Sequence, residues 1–226
     1  MKKYFLLFLC ATITLSSHAE FFMGPQLGLN VATLNKTSYT VNNKLGWHGG
    51  FYASFPLGNH FSIMPAILYS TKGFKYDYTT TTTSYPSSGN PDTAVVNLTA
   101  NVNATLGYLD FPILLTIFSG KSKGLMIQAG PQFSYLITNT TTLSTSTTVA
   151  INGGSSQPTN PDPNNKLDFH KSDISLVGGL AYRLPKLLMI YARATTGLLK
   201  VQQGTLVKDD NYGRHFVIEI GAGLVF

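Results

Sequence analysis

The side chains best suited to acid–base chemistry are two histidines and three aspartates near the ends of predicted strands. They are Asp168, His170, Asp209, Asp210 and His215, and the predicted strand order brings them to one rim. A carboxylate beside an imidazole can activate a water molecule for hydrolysis. Acidic loop residues are usually only solvated, however, and no serine lies near either histidine in a recognisable nucleophile motif. We therefore predict that the chain is not an enzyme and has no catalytic residues.

Metal and cofactor chemistry finds even less support in the sequence. The five histidines show no His-x-His or His-x-x-x-His spacing, and Cys10 is the single cysteine. Zinc sites need several nitrogen or sulfur ligands at such short spacings. We predict no metal ligands, no cofactor-binding residues and no bound cofactor.

Four charged residues fall on the parity of predicted strands four, six, seven and eight that carries polar and small side chains, one of them directly after strand six. They are Asp110, Arg183, Arg193 and Glu219. If that face lines the inside of a narrow barrel, the charges must pair, because an isolated buried charge is strongly destabilising. We predict a lumenal charge network that fills the barrel and holds its strands in register. The alternative is a narrow ion pore lined by the same residues.

The strands that position these charges are clearest at the end of the chain. From His215 to Phe226, large apolar side chains occupy every second position up to the terminal aromatic residue. Side chains alternate between the two faces of a strand, so this segment has one apolar face and one polar or small face. Such a strand is typical of the last strand of an outer-membrane barrel, with the apolar face toward lipid.

The same alternation recurs seven more times. The predicted strands cover residues 25–31, 47–55, 60–78, 102–118, 125–137, 173–182, 187–199 and 215–226. Their even number predicts an all-β, eight-stranded antiparallel up-and-down transmembrane β-barrel, in which strand eight pairs with strand one. A soluble sandwich or lipocalin-like barrel is the alternative, but only 12% of residues are charged, which is low for a polar exterior.

The N-terminal segment predicts secretion. Lys2 and Lys3 precede an apolar run that extends to Leu15, and small residues at Ser17 and Ala19 favour cleavage after Ala19. We predict a signal peptide over 1–19 and a barrel domain over 20–226. Loss of the two lysines lowers the net charge from +6 to +4. The remaining basic residues form no cluster, so nucleic acid is not an expected partner.

Connections alternate between short and long. Residues 56–59, 119–124 and 183–186 are predicted short turns, and residues 35–45, 79–101, 139–172 and 200–213 are predicted long polar loops. Short periplasmic turns and long extracellular loops are the rule for outer-membrane barrels, so both termini are expected in the periplasm. Threonine runs in the loops could extend the β-ribbons beyond the bilayer, since threonine favours strands. Asp92-Thr93-Ala94 resembles an O-glycosylation signal, a motif short enough to arise by chance.

Several segments resemble the porin-like outer-membrane β-barrel domain family, small eight-stranded proteins of Gram-negative bacteria. The similar segments are Phe55-Pro56-Leu57-Gly58-Asn59, Ile67-Leu68-Tyr69-Ser70-Thr71-Lys72-Gly73, Tyr108-Leu109-Asp110-Phe111-Pro112-Ile113-Leu114-Leu115, Gly130-Pro131-Gln132-Phe133-Ser134-Tyr135, and Arg193 with Gly197. This chain has Met64 and Ala66 where the family commonly carries polar residues, which predicts a less polar lumen there. The resemblance implies the fold and an outer-membrane location, and for most members it implies no known substrate.

These observations favour a structural or adhesive protein that presents long polar extracellular loops from a filled barrel. A narrow porin-like channel for ions or small solutes is the alternative. The expected partners are outer-membrane lipid and the barrel-assembly machinery, and we expect a monomer. The predicted assembly signal is the apolar face of the last strand, namely Phe216, Ile218, Ile220, Leu224 and Phe226.

Overall fold

Eight long antiparallel strands form a closed barrel in the computed structural model. The structure describes residues 21–35, 41–84, 94–119, 124–151, 154–155, 168–184, 187–199, 202–203 and 213–226. The strands are β1 (Phe22–Asn35), β2 (Lys44–Pro56), β3 (Phe61–Ser84), β4 (Ala94–Ser119), β5 (Leu125–Ile151), β6 (Ser172–Arg183), β7 (Leu188–Gly197) and β8 (Arg214–Leu224). Each pairs with its neighbours in sequence, and β8 pairs with β1, which confirms the predicted fold class.

Four two-residue strands accompany the wall. Val41–Asn42 pairs with β3 and Gly154–Ser155 pairs with the end of β5, whereas Asp168–Phe169 pairs with Gln202–Gln203 in a separate ribbon. Across the residues that the structure describes, no helix combines the length and apolar character needed to cross a membrane. The predicted signal peptide, Asp92 and Thr93 lie outside those residues.

On every wall strand, the apolar side chains at alternate positions point outward. Leu27, Ile127, Phe133 and Ile220 expose 64%, 48%, 46% and 64% of their surface. Aromatic side chains mark both borders of this apolar band. The ring centres of Trp47 and Tyr69 are 5.4 Å apart at one border, and those of Phe21 and Phe55 are 5.3 Å apart at the other. An apolar band between two aromatic girdles is the surface that a membrane barrel presents to lipid. We call the end with the short connections the turn end and the opposite end the loop end.

Several strands are longer than predicted, and three of them, β3, β4 and β5, extend far into predicted loops. The predicted loops 79–101 and 139–172 are wrong at residues 79–84, 94–101 and 139–151, which are strand. The expectation that the threonine runs extend the β-ribbons is confirmed there. The threonines there pair with β-branched and polar residues of β4, for example Thr79 with Thr99 and Thr83 with Val95. We call residues 75–84, 94–103 and 142–151, which continue the wall past its loop end, the projecting sheet.

Two apolar clusters occupy the lumen at different heights. The turn-end cluster is formed by Phe22, Tyr52, Met64, Leu114, Phe118, Met126, Val177, Ala181, Met189, Tyr191 and Val225. The loop-end cluster is formed by Phe74, Val102, Ala104, Leu106, Tyr108 and Phe169. Met64 is only 1% exposed, as expected from the less polar lumen predicted there. Buried polar and charged side chains lie on the inward parity between the two clusters.

Three prolines interrupt the backbone pairing of the wall. Pro65 in β3, Pro112 in β4 and Pro131 in β5 coincide with two-residue gaps in the β2–β3, β3–β4 and β4–β5 ladders, respectively. Proline has no backbone N–H to donate, so each one removes a ladder hydrogen bond. Strand register is the same on both sides of each gap, so the inward and outward parities are unchanged there.

Candidate functional site

A buried ion pair lies at the centre of the inward-facing polar residues. Lys72 Nζ of β3 is 2.8 Å from Asp110 Oδ2 of β4, and the two side chains are 2% and 1% exposed. Lys72 Nζ also donates to Ser134 Oγ at 3.4 Å and lies 5.0 Å from the centre of the Tyr108 ring. The aspartate therefore has a cationic partner that is itself hydrogen-bonded, as a buried charge requires.

A second charged group connects β5, β7 and β8. Arg193 and Glu219 are direct register partners on β7 and β8, and each is 3% exposed. The Arg193 Nε donates to Gln128 Oε1 at 2.9 Å, and its guanidinium lies 4.1 Å from the centre of the Tyr191 ring. Gln128 also donates to Met64 Sδ at 3.6 Å, so the charged group contacts the turn-end cluster directly.

The four charges predicted to form a network are divided between two heights of the barrel. Asp110, Arg193 and Glu219 are buried between the apolar clusters. Arg183 lies at the turn end, half-buried, with its guanidinium 5.2 Å from the centre of the Phe22 ring. The central polar layer, defined here as Lys72, Asp110, Gln128, Ser134, Arg193 and Glu219, thus contains three of the four predicted residues. A joint role in filling the barrel and fixing its register stays a prediction.

A hydrogen-bonded chain crosses the seam where β1 meets β8. His48 of β2 hydrogen-bonds through Nε2 to the Tyr191 hydroxyl of β7 at 2.6 Å, and through Nδ1 to Asn30 Oδ1 of β1. The amide nitrogen of Asn30 donates to Ser70 Oγ at 2.9 Å and to the Thr71 carbonyl at 3.1 Å. Since Asn30 Oδ1 can only accept, His48 Nδ1 donates to it. The imidazole is thus hydrogen-bonded at both nitrogens.

Two glycines make this crossing possible. Gly28 of β1 and Gly221 of β8 are register partners directly beneath the chain. A Cβ at Gly28 would lie 2.5 Å from His48 Cε1, and a Cβ at Gly221 would lie 2.4 Å from the Tyr191 hydroxyl. We call His48, Tyr191, Gly28 and Gly221 the seam clasp, because its side chains connect β2 to β7 across both closing strands.

The proposed rim group does not assemble in the part of the chain that the structure describes. His215 is 2% exposed and points into the lumen, where its Nε2 lies 3.3 Å from the Tyr108 hydroxyl. His170 is exposed to solvent instead, the Asp168 side chain is not described, and Asp209 and Asp210 lie outside the described residues. Among the described residues there is also no group of three or more His, Cys, Asp or Glu side chains that could hold a metal ion.

Sequence reasoning placed Gln128 and His48 on the lumen-facing parity but did not name them, Lys72 or the rest of the seam clasp as site residues. Lys72 shares the inward parity with Ser70, so alternation alone could have placed it in the lumen too. The seam clasp depends on contacts between β2 and β7, which are far apart in the chain. Its only local signal is a glycine on the inward parity of each closing strand.

The predicted assembly-signal residues lie on the outer surface of β8 and the residues that follow it. Ile218, Ile220, Leu224 and Phe226 are exposed and Phe216 is half-buried. Backbone hydrogen bonds connect Phe226 to Met23 in both directions, at 2.9 and 3.1 Å, so the C-terminus pairs with the first strand. Recognition of this segment by assembly machinery stays a prediction.

Comparison with known proteins gives one family match. Residues 16–203 match the model of the outer membrane protein beta-barrel domain. A search of curated proteins finds no match. Among solved structures, the chain is similar to Ail, the attachment invasion locus protein of Yersinia pestis, at 10% identity and a TM-score of 0.46, covering 92% of this chain and 100% of that one. It is similar to the outer membrane protein OprG from Pseudomonas aeruginosa at 10% identity and a TM-score of 0.43, covering 91% and 95% of the two chains.

Proposed function

The chain belongs to the outer membrane protein beta-barrel domain family, and we propose that it is a filled barrel with a structural and adhesive role. It is an integral protein of the bacterial outer membrane. By the rule for this class, the turn end lies in the periplasm and the projecting sheet extends from the cell surface. Its work would be to anchor itself in the bilayer and to present this polar sheet outside the cell.

The observation that carries the proposal is the occupancy of the lumen. The turn-end cluster contains large buried side chains from six of the eight strands, including Phe118, Met126 and Met189. Beyond the central polar layer, Phe74 and Phe169 pack at 6.2 Å between ring centres in the loop-end cluster. An eight-stranded barrel is only wide enough for its own side chains to fill. Two apolar clusters in series leave ions without the hydrated path that conduction requires.

The projecting sheet supports the adhesive part of the proposal. A transmembrane strand needs about 9–11 residues, whereas β3, β4 and β5 contain 24, 26 and 27 residues. On the face that continues the outward parity, Lys75, Asp77, Thr79, Thr81 and Thr83 of β3 are all exposed. The sheet therefore presents a regular array of hydroxyl and charged groups well beyond the apolar band.

Planar-bilayer recording tests this function against the narrow channel. We expect no unitary current steps from the refolded wild-type protein. As a positive control, a variant with Phe118→Ala and Met126→Ala in the turn-end cluster and Phe74→Ala and Phe169→Ala in the loop-end cluster opens both clusters and should give leak events. Stable unitary steps in the wild type, altered in size by Lys72→Met, would establish the channel and reject the filled barrel.

A further inference from the structure

A concave apolar groove lies on the outer wall near the turn end, across β1, β2 and β3. Its volume is about 700 Å³, and its walls are formed by Met23, Phe51, Ala53, Pro65, Ile67 and Phe226. This volume falls within the roughly 300–1,000 Å³ typical of small-molecule sites. We call this hollow the β1–β3 groove.

The groove exists because small residues and a broken ladder coincide. Ala53 of β2 lies opposite Pro65 of β3, between the paired positions Tyr52–Ala66 and Phe55–Ile63. Neither alanine nor proline extends far from the wall. Phe51, Ile67 and Phe226 rise around them, with 64%, 46% and 66% of their surfaces exposed.

The position of the groove determines what can fill it. Its walls belong to the outward apolar parity and carry no charged side chain. It lies beside the Met23–Phe226 backbone pair and near the Phe21–Phe55 aromatic contact, at the turn-end border of the apolar band. The groove lies in the lipid-facing wall, where an unfilled hollow would forfeit dispersion contacts on its whole lining.

We infer that the β1–β3 groove is a binding site for one acyl chain of a glycerophospholipid from the periplasmic leaflet. The site is continuous with the lipid-facing wall, and its lining comes from three strands, so a chain inside it contacts side chains on several sides. The bound lipid should therefore exchange more slowly than lipid elsewhere around the barrel. This inference rests on the membrane-facing wall alone and stands whether or not the lumen conducts.

Native mass spectrometry tests the site on protein refolded in phosphatidylethanolamine vesicles and extracted in mild detergent. We expect the wild type to retain one phospholipid. The variant Ala53→Phe, which fills the groove, should reduce that population at least tenfold. Ala129→Phe is the matched control, because Ala129 is an exposed alanine of β5 outside the groove. Equal retention by the two variants, or a wild type free of lipid, would overturn the inference.

A second measurement leaves the groove open and covers the case in which Ala53→Phe fails to fold. Trp47 is the only tryptophan, so Trp47→Phe provides a silent background. In that background, Phe51→Trp reports on the groove and Phe133→Trp reports on the wall of β5. Titration of micelles with phosphatidylethanolamine brominated on its acyl chains should quench the F51W protein at about one lipid per protein. The F133W protein should need a large excess, and superimposable curves would reject the site.

Discussion

Lys72 illustrates how the interior of this barrel differs from its wall. A lysine buried in the lumen is tolerated because its ammonium has Asp110 at 2.8 Å and Ser134 within hydrogen-bond reach. Arg193 likewise has Gln128 and the face of Tyr191. Each buried cation thus has partners from other strands, so each one restricts which register those strands can adopt.

Replacing Lys72 with methionine should destabilise the barrel. The substitution leaves Asp110 buried without its cation, which typically costs about 3–5 kcal/mol. The double variant Lys72→Met with Asp110→Leu should recover most of that loss, because both charges are removed together. The free energy of unfolding can be measured by urea titration in lipid vesicles.

Lys75→Met provides the control for this charge change. Lys75 lies on the same strand but is exposed to solvent, so its loss should change stability by less than about 0.5 kcal/mol. If the K72M and K75M proteins unfolded at the same urea concentration, the ion pair would have no structural role.

The seam clasp makes a separate prediction at Gly28. The variant Gly28→Ala places a methyl group 2.5 Å from the His48 ring and 2.5 Å from the Ile220 carbonyl, so these groups must move apart. We expect a loss of about 1–3 kcal/mol, as for other overpacked sites. Gly178→Ala is the matched control, because a Cβ at Gly178 meets nothing within 4 Å.

Heat-modified mobility on gels measures this difference. The G28A barrel should lose its compact band at a lower temperature than the wild type, whereas the G178A barrel should not. If the two alanine variants lost the compact band at the same temperature, the seam between β1 and β8 would accommodate the added methyl group, and the seam clasp would not constrain it.

At the scale of strands, the alternation of apolar and polar residues predicted the number, pairing order and faces of the wall. The last strand is an example, because Ile218 and Ile220 face outward and Glu219 faces the lumen. The prediction succeeded because alternation is a local property of each strand, and every strand of a membrane barrel places its apolar face outward.

The lengths of β3, β4 and β5 could not be predicted in the same way. Beyond Tyr78 the β3 sequence is almost entirely threonine, so both faces look alike and alternation carries no signal. Thr80 and Thr81 are in strand because β4 supplies partners for them, Leu98 and Asn97. The contact between His48 and Tyr191 escaped prediction for a related reason, since it depends on how the wall closes rather than on either strand alone.

Shortening the projecting sheet tests whether it does the work outside the cell. Tyr76 and Val102 are register partners, so an Asn-Gly turn can join them and replace residues 77–101. The wall below remains complete, and the trimmed barrel should retain its heat-modified mobility. Attachment of cells that display the trimmed protein should fall to the level of cells that lack it.

A matched variant separates the sheet's shape from its chemistry. Thr79→Val and Thr81→Val together keep the β-branched form of two exposed positions but remove their hydroxyl groups. Attachment reduced by this variant would assign binding to the hydroxyl array. Undiminished attachment of the trimmed protein would remove the adhesive role altogether.

At the scale of the whole molecule, the side chains of the inward face are arranged in layers along the lumen. The barrel holds apolar side chains at both ends of its lumen and charged side chains between them, where Lys72 pairs with Asp110 and Arg193 donates to Gln128. A channel with the same number of strands would need water in place of the phenylalanine and methionine side chains at the narrow points of the lumen. The structure therefore combines a lumen that carries apolar clusters at two heights with a long sheet that continues three strands of the wall.

Accessibility of Ser134 to water tests the sealed lumen most directly. Ser134 lies in the central polar layer with 0% of its surface exposed, whereas Thr140 of the same strand is exposed at the loop end. The only cysteine is Cys10, within the predicted signal peptide, so Ser134→Cys and Thr140→Cys each give a single thiol in the mature chain. A charged, membrane-impermeant maleimide should label the T140C protein within minutes and leave the S134C protein unlabelled until it is unfolded. Labelling of the folded S134C protein at the rate of the T140C protein would mean that solutes reach the central polar layer, and the filled barrel would be contradicted.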